Sequence, residues 1–452
     1  MNRMPWFRIK KTGRLETSDE LILRLRPGIL LDSLVTTSDA AHVACAEALP
    51  FGMRVILDGK DGPVHGEVLR GTPIFAGNSN RLAYGASSSL PFDVTPAKKW
   101  SVVLDNGEGP KVEGIGSGSL RFSEHGTRLA YTVSNGQKWS VLLDGYEFAS
   151  AEATISDSLT FSPDSRRFSC AIVNSGRTFV VLDGALSPPY DGVLRGPTVF
   201  SPDSGNHAYA ACRADKLFVN AHGKEYGPYS NVGGMVFSPD GRHLAFAADK
   251  IGTWTVVIDG IEGGGYDLVA ASSPQYNRGG TSIAFGARRN GKWAVIKEGQ
   301  TITAGADALG KGTPTFGPTG SLAAITLRQG KMYLNVDGVE GKPYSSIAGL
   351  VFSSDGKRTA FSAKIDTSWV QVVDGEEGRP YDGVDRGAFT PDGRHFVYRA
   401  WKGGAAFIVI DEIESRAYPT FLKNTEAFVQ NDLVRTFTTD GIEVIRITAH
   451  FP

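Results

Sequence analysis

Apolar residues along this chain come in runs of four to six, and turn-forming residues separate the runs. SVVL at 101–104, FVVL at 179–182, TVVI at 255–258 and VQVV at 370–373 are the clearest. Runs this short, rich in β-branched residues and bounded by Gly, Pro, Asp and Asn, predict strands; no stretch shows a helical period. Strict alternation would leave one face wet, whereas continuous apolar runs require cover on both faces.

The runs repeat as a unit. The copy MVFSPDGRHLAFAADKIGTWTVVIDGIEGGGYDLV, residues 235–269, shows it best. Its landmark aromatic, Phe246, recurs as Cys45, Tyr84, Tyr131, Cys170, Tyr209, Phe285, Ile325, Phe361, Tyr398 and Phe437, which makes eleven copies at a spacing close to 39 residues. Nine residues earlier stands an apolar residue, usually Phe, as at Phe161, Phe237 and Phe389. Trp100, Trp139, Trp254, Trp293 and Trp369 share another column and are expected to fill space between packed sheets. Five residues after the Trp comes Asp, often as Asp-Gly, and seven residues beyond that Tyr190, Tyr266, Tyr344, Tyr381 and Tyr418 line up, with Tyr229 and His65 in the same place.

Within a unit, V-F-S is a strand, S-P-D-G a turn, H-L-A-F-A-A a second strand, W-T-V-V-I a third, and D-G a tight hairpin leading to the fourth. Four antiparallel strands per copy, apolar on both faces, predict an all-β β-propeller of about eleven four-stranded antiparallel blades. Eleven exceeds the usual roughly four to eight blades. The alternatives are one large ring or two packed propellers split near Gly234. The repeat region covers 35–452, and its last copy has three strands (426–429, 434–438, 442–448) with nothing after them. The segment 1–34 carries a spare alternating stretch, LILRL at 21–25, which is expected to supply the missing outer strand and so remove an exposed edge.

Composition narrows the class. Hydrophobic residues are 41% and charged residues 21%, which suits a folded soluble chain. A formal charge of -1 offers no basic field for nucleic acid. Three cysteines, Cys45, Cys170 and Cys212, make no disulfide framework and suit a reducing compartment. The basic start lacks the apolar region of a signal peptide, and no apolar run is long enough to span a bilayer, so a cytoplasmic setting without membrane insertion is expected.

The string F-S-P-D-G-R-x-L-A-F, followed by an apolar strand and D-G, resembles the TolB-type WD-like β-propeller repeat over nearly all of 35–448. The copies at Phe161, Phe237, Phe352 and Phe389 fit well; those at Tyr276 and Phe428 are degraded. The resemblance implies blade architecture and a binding propeller, although TolB-type proteins are exported and this chain shows no export signal. Prolyl-oligopeptidase relatives also carry such blades beside a serine hydrolase domain, but no G-x-S-x-G elbow exists here.

Candidate sites follow from the loops. Loops between second and third strands carry cations: Lys98, Lys99, Lys138, Arg177, Lys250, Arg288, Arg289, Lys292, Arg328 and Lys364 among them. Loops between third and fourth strands lean acidic, as at Glu108, Glu147, Glu225, Glu262 and Glu340. A two-faced charge distribution would dock an acidic protein partner on its basic rim. The insertion 87–99 (SSSLPFDVTPAKK) adds Leu90 and Phe92 as apolar contacts on that rim. The histidines lack metal-ligand spacing, the Asp of D-G is explained by its turn, and the Gly-rich 114–119 precedes no helix. No catalytic residue, metal or cofactor is therefore expected. The expected function is a non-catalytic interaction or scaffold propeller in a larger assembly. The alternatives are a ligand or glycan sensor at the channel mouth, or a lyase- or hydrolase-type propeller enzyme needing irregular polar residues on the innermost strands.

Overall fold

The computed structural model describes residues 14–77, 79–88, 98–423 and 425–451. Among them are strands and turns but no helix, and the strands form eleven antiparallel sheets, the blades of a β-propeller. Ten sheets are built in chain order from innermost to outermost strand. In four of these the innermost strand is split into two short pieces on the same neighbour. In the eleventh, strands 428–429, 433–439 and 443–450 run outward and Thr17–Arg24 from the N-terminus lies outermost, with Thr17 opposite Ala449 and Arg24 opposite Glu443.

The chain divides into two compact units. One comprises residues 26–329 and 333–340; the other comprises 1–25, 330–332 and 341–452. The first holds the seven blades from 29 to 306 and most of the eighth, and Gly234 lies within it, on the innermost strand Asn231–Phe237. The second holds the three blades from 346 onward, including the one that Thr17–Arg24 joins.

Period-two geometry explains why both faces of each blade are apolar. On Leu82–Ser87, the side chains of Leu82, Tyr84 and Ala86 pack with Ala44, Ala46 and Val55 of the first blade. The intervening Ala83 joins Leu129, Tyr131 and Val133 of the third blade. One strand thus contributes to two cores, large residues to one side and small to the other. The landmark residues are buried throughout, from Cys45 at 0% exposure to Tyr209 and Phe285 at 8%. The five tryptophans sit at or near the start of their third strands and are half-buried, so filling between blades falls mainly to the landmark and Tyr columns.

Pairing corrects the repeat frame in one copy. Phe316 pairs with Leu322, as Phe237 pairs with Leu244, so the residue equivalent to Phe246 is Ala324 and not Ile325. The turn F-G-P-T-G-S is one residue shorter than F-S-P-D-G-R-H, and counting from Phe316 overshoots. In the last copy Phe428 pairs with Arg435 at the same spacing as Phe237 with Leu244, but it is Val434 that packs with Val397 and Ile408 of the tenth blade.

Candidate functional site

The recurrent polar residues are occupied within the fold. Asp144 of the D-G turn takes φ +55°, and its Oδ1 accepts the N–H of Leu129 at 2.9 Å, while Oδ2 accepts Arg128 Nε at 2.8 Å. Arg128 then reaches into the next blade, donating to the carbonyl of Arg166 at 3.1 Å and lying over the ring of Phe161. Arg81 with Asp105, Arg167 with Asp183 and Arg358 with Asp374 make the same clasp. His42, His243 and His395 occupy the Arg position and bond Asp58, Asp259 and Asp411. These carboxylates and imidazoles fasten turns.

The tyrosine column works the same way. Tyr381 stands edge-on to Tyr398 of the following blade, at 6.1 Å and 78°, and its hydroxyl donates to Glu414 at 2.8 Å. Tyr344 repeats this with Phe361 and Glu377, and Tyr229 with Phe246 and Glu262. Burial, and then the neighbouring glutamate, raises the phenol of Tyr229 to about 12. Glu262, an acid expected to decorate the rim, is thus an acceptor for a buried phenol in the preceding blade, as is Glu377.

The predicted cations meet acids close by. Lys98 pairs with Glu67 at 2.6 Å and lies over Trp100; Lys99 pairs with Glu113. Arg177 bonds Asp191, Lys250 bonds Glu262, Lys292 bonds Asp307 and Arg328 bonds Glu340. Arg289 donates to the Gly265 carbonyl and covers Tyr266, and Arg288 lies over Trp293. Lys138 and Lys364 make no ion pair among the described residues. Glu67, Glu113, Asp191 and Asp307 lie in the connections from an outermost strand to the next blade, which run beside the loops between second and third strands. Asp191 and Asp307 also accept loop N–H groups, from Ala214 and Gln329. Leu90 and Phe92 lie outside the described residues.

What stands out at the surface is apolar. The residues just past the D-G turns include Tyr146 at 81%, Leu186 at 63%, Ile261 at 77% and Val339 at 74% exposure. A broad open groove between the first two blades, about 700 Å³, is lined by His42, Asp58, Arg81 and Asp105, all already engaged in clasps.

One place breaks the repeat. After the landmark, most blades hold a small residue: Ala46, Gly85, Thr132, Ala171, Ala210, Ala247, Gly286 and Ser362. The tenth blade holds Arg399, 7% exposed. Its Nε donates to Asp385 Oδ2 at 2.6 Å and its backbone N–H to Asp385 Oδ1 at 2.8 Å. The guanidinium continues to the carbonyl of Thr425 and the hydroxyls of Thr425 and Thr436 in the last blade. Gln371 Nε2 donates to the Asp385 carbonyl at 2.7 Å. Burial pushes the Asp385 carboxyl up, against the pull of Arg399 beside it. A cavity of about 160 Å³ opens next to this pair, lined by Asp385, Arg386 and Gly387 and, across from them, Glu426 and Val429. Sequence reasoning passed over it; the signal was Y-R-A-W at 398–401, where other copies read F-A-A or Y-G-A.

No family model matches this chain, and no curated protein matches it. Solved structures do. One described as the eukaryotic initiation factor is 13% identical, over 70% of this chain and 92% of that one, with a TM-score of 0.38. The Dos1 propeller is 12% identical, over 66% and 91%, with a TM-score of 0.34. TolB from Acinetobacter baumannii is 14% identical, over 74% and 78%, with a TM-score of 0.24. TolB is one of several kinds of propeller represented, and the fold itself rests on the sheets described above.

Proposed function

We propose that this chain is a non-catalytic protein-interaction propeller, a scaffold or subunit that docks a partner through its loop ends. One observation carries the proposal. The repeated Asp, Arg, His, Tyr and Glu columns serve contacts within and between blades, while large apolar side chains stand exposed at the D-G hairpins of the third, fourth, sixth and eighth blades. Tyr146, Ile261 and Val339 follow their Gly directly and Leu186 stands one residue further on, and exposed apolar groups gathered at hairpins suit a protein surface better than they suit water. The basic loops and the 87–99 insertion belong to the docking proposal as a second contact, and a cytoplasmic setting goes with it, since Cys45, Cys170 and Cys212 are free thiols.

The test is affinity capture from native lysate with three forms of the chain: wild type, a deletion within 87–99, and a variant with Tyr146, Leu186, Ile261 and Val339 replaced by Ser. A defined partner held by wild type and lost by either altered form supports the proposal. Equal capture by all three defeats it, as does turnover of a metabolite by the purified chain.

A further inference from the structure

The innermost strand of most blades bulges near its middle, and in four of them a serine there closes the gap. Ser33, Ser119, Ser158 and Ser273 accept the N–H of Ala46, Thr132, Ala171 and Gly286 at 2.7–3.1 Å. In the tenth blade Asp385 takes over this bond, and its charge is matched by Arg399. The next residue, Arg386, is exposed and lines the cavity of about 160 Å³. Its position is held from two sides. A Cβ on Gly387 would come within 2.1 Å of the Phe396 ring, so the bulge backbone rests directly on that ring. A Cβ on Gly349 would stand 3.3 Å from Arg386 Cγ, so the arginine stem runs over a glycine.

The cavity therefore has a particular chemistry. Its walls include Val351, Ala388 and Val429. Asp385 is neutralised by Arg399, which leaves two charges on the lining, Arg386 and the exposed Glu426. Neither makes an ion pair among the described residues. One cation and one anion beside a small apolar chamber match a ligand with both charges and a short apolar body. The volume is roughly five times the ~30 Å³ share of one water, too small for a nucleotide or an oligosaccharide. A guanidinium is the side chain suited to a carboxylate, and a carboxylate to an ammonium.

We propose that the cavity beside Asp385 binds a small zwitterion of the α-amino-acid class, its carboxylate on Arg386 and its ammonium on Glu426. This site is separate from the docking surface proposed above, and either can stand without the other.

Calorimetry and thermal-shift measurements on the full chain test it, with L-alanine, L-valine and L-leucine as probes and isobutylamine and isobutyrate as single-charge controls. At least one amino acid is expected to bind saturably and raise the melting temperature, with each control at least about tenfold weaker. Arg386→Ala and Glu426→Gln should each weaken that binding by about tenfold or more. Both side chains are exposed, so the near-ultraviolet circular dichroism of these variants should match wild type. The inference is overturned if no amino acid shifts the wild-type transition at millimolar concentration, if both controls bind as tightly as the amino acids, or if neither variant changes affinity.

Discussion

Asp144 shows how much one side chain of the repeat has to do. It adopts a left-handed backbone, offers one oxygen to a buried main-chain donor and the other to Arg128. Asn tolerates that backbone and keeps the acceptor for the Leu129 N–H, whereas Ala strands both the N–H and the guanidinium. Asp144→Asn is expected to cost under about 1 kcal/mol and Asp144→Ala about 2 kcal/mol, read as shifts in the midpoint of urea unfolding. The buried pair of the tenth blade obeys a different rule. Arg399→Ala leaves a carboxylate enclosed without its partner, which costs about 3–5 kcal/mol. Adding Asp385→Ser restores the Ser/Ala combination that Ser158 and Ala171 already use, and most of the lost stability should return. A double variant as unstable as the single one would show that the arginine acts by filling space.

At the scale of the strand, edges are the recurring problem. Outermost strands present unpaired N–H and C=O groups, and here many carry proline in or beside them: Pro63, Pro110, Pro189, Pro228, Pro343 and Pro380. Thr17–Arg24 has none, and side chains add to the ladder that pairs it with Glu443–His450. Tyr418 donates to Thr17 at 2.7 Å, Arg416 bonds Asp19 and Arg446 bonds Glu20. Removing residues 1–25 strips this strand from the last blade and exposes Glu443–His450 along its length. The truncated chain should melt several degrees lower and be cut by protease in the 428–450 region before wild type is.

Much of this architecture was readable from residue spacing, because a blade is dictated locally. Hairpin turns need Asp-Gly, strands need apolar runs, and both recur within 40 residues. The frame failed where a turn changed length, at 316–322, since a one-residue change reverses which face a side chain occupies. Which charges remain open was not readable. Lys99 looks like a rim cation in sequence; Glu113, which pairs with it, belongs to the connection into the next blade. The Asp385–Arg399 pair was hidden for a related reason. Arg399 departs plainly from its column of small residues, but the departure acquires meaning only when the bulge and the second strand are brought face to face.

For the molecule as a whole, this pairing changes what a partner would sense. A row of unopposed cations would give a field reaching about 10 Å at 0.1 M salt and an association rate that falls steeply with ionic strength. Six of the ten predicted cations instead have a carboxylate within 4 Å, namely Lys98, Lys99, Arg177, Lys250, Lys292 and Arg328.

 The remaining four are Lys138, Arg288, Arg289 and Lys364. Six internally matched cations contribute little net field beyond their own loops, and apolar contact is left as the larger source of affinity. Partner capture should accordingly change less than about threefold between 50 and 300 mM salt, well short of what several freed counter-charges would give. Replacing Tyr146, Leu186, Ile261 and Val339 by Ser should weaken it far more than replacing Lys98, Lys99, Lys138 and Lys364 by Gln. The measurement is the affinity of the captured partner for each form across that salt range. A steep fall with salt, together with a larger loss from the lysine set, would hand the docking role back to the charged loops.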